Sequence, residues 1–197
     1  MSKIDRLTVD RIMYCHGFAS NFDPRKDKVK ALSMLAPVQG VTIDYTCPPE
    51  KIFEAFAAEL QGASRTLIVG TSMGGFYAAW LGSVFTLPFI AINPAVSPAA
   101  SLQKYLGRGQ THFGTPYDLK KEVVRAYQDI PFRVDGPGEI ILDLGDEVID
   151  AQETKTVVAN RLPITTFEGG SHRFDHMSEL LVILAEQFDF KAPNLEA

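Results

Sequence analysis

The chain has 197 residues, 46% of them hydrophobic and 22% charged, and a formal net charge of −5. That size suits one domain with a single core, and an acidic balance without a Lys/Arg cluster argues against a nucleic-acid partner. Apolar runs such as Leu87–Ile92 are too short to cross a bilayer, Met1–Arg6 lacks the apolar stretch of a secretory signal, and two cysteines make no disulfide framework. The expectation is a cytoplasmic protein without a membrane partner, a monomer or small homo-oligomer.

Short apolar runs alternate with segments of helical period, the pattern of βα units around a mainly parallel sheet. A strand is predicted over Arg11–Cys15, a helix over Lys26–Leu35, a strand over Val41–Tyr45 and a helix over Lys51–Gln61. Then come a strand over Arg65–Val69, a helix over Met73–Phe85 and a strand over Phe89–Ile92. The rhythm breaks across residues 94–134, a lid-like insertion within the single domain 1–197. Two short helices, Ala99–Leu106 and Leu119–Gln128, are expected there, joined by the irregular stretch Gly107–Pro116. Its Tyr105, His112, Phe113 and Tyr117 either form an aromatic surface or pin the insertion to the body.

The alternation resumes with a strand over Glu139–Leu144, a helix over Asp150–Ala159 and a strand over Ile164–Phe167. A last helix over Met177–Phe188 carries Leu180, Leu181, Ile183, Leu184 and Phe188 on one side. Lys191–Ala197 reads as a frayed tail. Six or seven strands buried on both faces are expected to form the sheet. Cys15 and Cys47 each sit at the end of an expected strand and read as reduced, packed thiols.

Residues Gly70-Thr71-Ser72-Met73-Gly74 spell G-x-S-x-G between an expected strand and an expected helix. In that setting the serine occupies a sharp strained turn that lifts its hydroxyl out of the sheet, and the glycines let neighbouring backbone approach. The helix that follows begins where negative charge would develop during acyl transfer. Ser72 is the candidate nucleophile.

Its partners are sought beyond strand ends, where sheets of this kind present reactive groups. His172, in Glu168-Gly169-Gly170-Ser171-His172, is the candidate base. His176, beside Asp175, reads as an ordinary surface or packing residue. Asp146, in Leu144-Gly145-Asp146-Glu147-Val148, is the candidate acid that fixes the His172 tautomer. Asp143 is assigned to the strand, and Glu147 or Asp150 to the start of the next helix. The order Ser72, Asp146, His172 is that of α/β-hydrolases.

An oxyanion hole needs two backbone amides. Met73 follows the nucleophile and supplies one. The loop His16-Gly17-Phe18-Ala19-Ser20-Asn21 supplies the other, from Phe18 or its neighbour Ala19. His16 reads as a tie for that loop rather than as a base. His16, Gly17, Tyr105 and Tyr117 are taken together as the candidate substrate-facing group.

These residues resemble the small bacterial α/β-hydrolase esterases of the YqiA/YcfP family. The likeness rests on Tyr14-Cys15-His16-Gly17-Phe18, Gly70–Ala78, Asn93-Pro94-Ala95-Val96, Tyr105-Leu106-Gly107, Gly145–Val148 and Glu168–His172. Cys15 stands where Leu is usual, and Ser171 where Asn often precedes the histidine. The resemblance implies a compact esterase with a Ser72–Asp146–His172 triad, a preference for short acyl esters and no metal or organic cofactor. A thioesterase with the same triad, or a binding protein that kept the fold without turnover, are the other readings.

Overall fold

Strands buried on both faces must present apolar side chains at successive positions. In the computed structural model, which describes residues 6–62 and 64–191, such runs form the centre of the molecule. In chain order the elements begin with β1 (Leu7–Val9), β2 (Arg11–Cys15), α1 (Asp27–Ser33), β3 (Val38–Gln39) and α2 (Pro49–Ala58). Next are β4 (Thr66–Thr71), α3 (Met73–Phe85), β5 (Phe89–Ile92), α4 (Pro98–Leu102), β6 (Gly107–Gln110), β7 (Pro116–Leu119) and α5 (Lys121–Ala126). The last are β8 (Gly138–Asp143), α6 (Ala151–Val158), β9 (Ile164–Phe167), α7 (Met177–Gln187) and β10 (Phe188–Phe190). Six strands pair in the order β3-β2-β4-β5-β8-β9, all parallel.

The two-residue period of the strands divides their side chains between two cores. Met13, Cys15, Ile68, Phe89, Ala91, Ile140 and Leu142 enter the core that holds α2, α3 and the insertion. Ile12, Tyr14, Leu67, Val69, Ile90, Ile92 and Ile141 enter the opposite core, with Val29 and Leu32 of α1 and Leu180 and Leu184 of α7. α3 is buried on almost every side, which explains its uniformly apolar sequence.

Two expectations around the sheet differ from what is observed. The strand predicted at Val41–Tyr45 is replaced by the shorter β3. After Gly40, which abuts Phe22 and the Tyr14 carbonyl, the chain bonds to the loop after β2 instead of extending the ladder. Ile43 N donates to His16 Nε2, and Tyr45 OH donates to the His16 carbonyl. The helix predicted through Phe188 ends at Gln187, and β10 pairs in parallel with β1 as a separate ribbon. The expected frayed tail beyond Lys191 lies outside the described residues.

The irregular stretch in the insertion is an antiparallel hairpin of β6 and β7. Gly109 pairs with Tyr117, whose ring occupies the space that a β-carbon at 109 would need. The expected flanking helices are shorter and finish in 3₁₀ turns, Gln103–Tyr105 and Tyr127–Asp129. Leu102, Leu119, Val124, Tyr127 and Phe132 anchor the segment in the first core.

Tyr127 OH lies 2.6 Å from Tyr77 OH, which also donates to the Pro49 carbonyl at 3.3 Å. Both rings are buried, so their hydroxyls need partners. Tyr127→Phe is expected to lower stability by about 0.5–1.5 kcal/mol, read from the urea midpoint. An unchanged midpoint would contradict the assigned anchor.

Candidate active site

Ser72 joins β4 directly to α3 at φ 56° and ψ −121°, a conformation L residues rarely hold. Such a residue costs about 1–3 kcal/mol and persists only where its surroundings enforce it. Here they do. Ser72 N donates to the Ile92 carbonyl at 3.0 Å. Its carbonyl accepts the amides of Gly75, Ala95 and Phe76 at 2.9, 3.1 and 3.3 Å. A β-carbon at Gly70 would run into the backbone of Gly74, and one at Gly74 into the carbonyls of Cys15 and His16. Both glycines of the pentapeptide therefore have a steric reason.

The loop after β2 packs against this elbow. A β-carbon at Gly17 would sit 3.3 Å from Ser72 Cβ and 3.8 Å from Ser72 Oγ. Gly17-Phe18-Ala19-Ser20 forms a tight turn, closed by Ser20 N donating to Gly17 O at 3.3 Å with Ala19 at φ 56°. The amides of Phe18, Ala19 and Met73 have no acceptor among the described residues. The turn after β2 and the start of α3, which meet at Ser72, thus carry unengaged donors.

His172 Nε2 is 3.1 Å from Ser72 Oγ, and His172 Nδ1 is 2.8 Å from Asp146 Oδ2. The Asp146 carboxylate is 2% exposed and its Oδ1 accepts the amides of Val148 and Ile149 at 2.7 and 2.8 Å. Those bonds fix its orientation. The three side chains come from beyond β4, β8 and β9, and they form one unbroken chain of hydrogen bonds.

A model of an uncharacterised protein family, UPF0227, matches residues 11–188. The chain belongs to UPF0227. A UPF0227 protein of Serratia proteamaculans (strain 568) is 24% identical over 173 residues, which cover 85% of this chain and 92% of the relative. Among solved structures, Est1E from Butyrivibrio proteoclasticus superposes with a TM-score of 0.70 at 16% identity, covering 93% of this chain and 88% of that one. Mouse alpha/beta hydrolase domain-containing protein 10 gives 0.68 at 14% identity, covering 89% and 88%. The fold is therefore that of the α/β-hydrolases, in keeping with the YqiA/YcfP resemblance.

Around the site of this UPF0227 member, several side chains depart from the roles read in the sequence. His16 does not face substrate: it is 1% exposed. Its Nε2 accepts Ile43 N, so Nδ1 carries the proton and donates to Gly17 O, both at 2.8 Å. Burial lowers its pKa to about 4, so it is a neutral tie. Of the two carboxylates read at the start of the next helix, Asp150 takes that place and not Glu147. Glu147 accepts His172 N at 3.0 Å, a bond that holds its carboxyl below the usual range. Asp150 caps α6 by accepting Gln152 N. His176 is a packing residue, its ring stacked on Phe167, and beyond that reading its Nδ1 bonds Asp143 at 2.7 Å.

The Phe18 ring packs on Tyr105 and Tyr117, with centroids 4.9 and 5.2 Å away. Tyr117, Phe18, Ile43, Tyr45 and Phe113 line a cleft of about 600 Å³. Neither Tyr105 nor Gly17 lines it, and neither do Ser72 or His172. The tip of the hairpin is tied to the Gly17–Ser20 turn by His112 N donating to Ala19 O at 3.0 Å. Both cysteines are free thiols, and Cys47 follows a loop rather than the expected strand.

His16 makes stability depend on pH. Its folded pKa of about 4 lies below the unfolded value of 6.5, so only the unfolded chain takes up the proton between them. Stability is full above the unfolded value and falls as pH drops towards 4. The loss attributable to His16 is about 3 kcal/mol between pH 7 and pH 4. Urea denaturation across that range should show this slope in the wild type and a shallower one in His16→Gln. Equal slopes would contradict the assignment.

Proposed function

We propose that this UPF0227 member is a serine esterase that hydrolyses carboxylic esters through an acyl-enzyme. The observation that carries the reading is the unbroken Asp146–His172–Ser72 hydrogen-bond chain, with unengaged amides in the turn after β2 and at the start of α3. His172 Nε2 removes the Ser72 proton as Oγ attacks the ester carbonyl carbon. The carbonyl oxygen becomes an oxyanion, and the Phe18 and Met73 amides donate to it. Asp146 keeps the Nδ1 proton in place and stabilises the imidazolium.

The imidazolium then gives its proton to the departing alkoxide, the carbon–oxygen bond breaks, and the acyl group remains on Oγ. Water enters, His172 takes its proton, and the same amides hold the second oxyanion. Collapse releases the acid and returns the proton to Ser72. No step needs a metal or an organic cofactor. The preference for short acyl groups follows from the family resemblance.

The test is a panel of p-nitrophenyl esters from acetyl upward, run on the wild type, Ser72→Ala and His172→Ala. Turnover should fall as the acyl chain lengthens. Each substitution should lower kcat/KM at least about 1,000-fold, since removing a triad member disables the others. Activity persisting in Ser72→Ala would move the nucleophile elsewhere. No turnover of any ester by the wild type would overturn the esterase reading.

A further inference from the structure

We propose that Asp143 is a positioning residue for His172, acting with His176 and Asn93. The inference rests on the esterase reading for its consequence in rate, but on geometry alone for the placement. Asp143 ends β8, three residues before the acid of the candidate triad, and its side chain is 0% exposed. A carboxylate so buried is tolerated only when its hydrogen-bonding capacity is filled. Oδ2 accepts Ser171 N at 3.2 Å and Asp175 N at 2.7 Å, and Oδ1 lies 2.7 Å from His176 Nδ1. All three donors belong to the loop that carries His172. They flank it on both sides.

Asn93 completes the clamp from the neighbouring strand end. It is 1% exposed and held at φ 41°. Its Oδ1 accepts Asp143 N at 2.9 Å, and its Nδ2 donates to Ser171 O at 3.1 Å. The peptide groups just before His172 are thus gripped by Asp143 at the amide of Ser171 and by Asn93 at its carbonyl. Gly170, at φ 70°, has the carboxylate of Asp143 where a β-carbon would be. The glycine lets the loop close over the buried acid. The His176 ring is fixed in turn by stacking on Phe167 at 4.8 Å and 10°.

The consequence is kinetic. Ser72 Oγ and His172 Nε2 are already at hydrogen-bond distance, and a misplacement of an ångström can cost about 100-fold in rate. Asp143 touches neither Ser72 nor the His172 ring among the described contacts, so it acts through the loop. Its partner His176 offers the cleaner test. Asn at 176 can place an amide donor near the position of Nδ1, whereas Ala leaves Asp143 Oδ1 without a partner.

The experiment measures hydrolysis of p-nitrophenyl acetate by the wild type, His176→Ala and His176→Asn. It also follows the NMR resonance of the proton shared by His172 and Asp146. His176→Ala should lower kcat roughly ten-fold with KM within about two-fold, and shift or broaden the shared-proton resonance. His176→Asn should recover most of both. Asp143→Asn, which presents an amide where backbone donors converge, should lose more than His176→Ala. A wild-type kcat with an unchanged resonance in His176→Ala would overturn the proposal. So would equal losses in the Ala and Asn variants. If the wild type hydrolyses no ester, the esterase reading fails while the resonance still decides the placement. If the wild type is active and His176→Ala matches it in both readouts, only the positioning role fails.

Discussion

The arrangement hangs on one steric constraint, the contact of main chain with main chain at the β4–α3 junction. Gly70 meets the backbone of Gly74, and Gly74 meets the carbonyls that end β2. With no β-carbon in the way, α3 starts at once after the strand and Ser72 is forced to positive φ. Three amides hold its carbonyl there. The strain is local, and the close packing of two strands and a helix maintains it. A free serine hydroxyl beyond a sheet edge is the result.

Two loops converge on that hydroxyl, and each is held by a histidine, one buried and one half-buried. His16 is neutral, sealed inside, and ties the Gly17–Ser20 turn to the segment after β3 through Gly17 O and Ile43 N. His176 sits against the buried carboxylate of Asp143 and braces the loop of His172. The hairpin of the insertion reaches the same turn through His112 N and Ala19 O. Loop position in this UPF0227 member therefore comes from polar contacts made by buried or half-buried groups. Those contacts are expensive to leave unmade, which gives the loops a single geometry.

The parts of the molecule governed by local pattern were legible in the sequence. Phe89–Ile92 is a strand at the residues read, because only a sheet covered on both faces buries successive apolar residues; Ile164–Phe167 is one too, as a half-buried edge strand. Ser72, His172 and Asp146 stand in one hydrogen-bonded chain because their types and order reflect chemistry written at short range. The β6–β7 hairpin escaped notice because Gly-Arg-Gly-Gln shows no alternation of apolar residues. It is stabilised by the Tyr117 ring lying over Gly109, a cross-strand fact. The 41–45 segment has strand-like composition, yet its hydrogen bonds go to His16. Asp143, Asn93 and His176 were missed for the same reason: their meaning lies in partners distant along the chain. The one local hint was a polar residue at each of two adjacent strand ends.

Covalent capture reads whether Ser72 is an activated nucleophile. Incubation with a fluorophosphonate followed by intact-mass and peptide mass spectrometry reads both the adduct and its position. One adduct per chain is expected on Ser72, none in Ser72→Ala, and much slower labelling in His172→Ala. Folded wild-type protein that stays unlabelled, or is labelled as fast in His172→Ala, would contradict an activated Ser72.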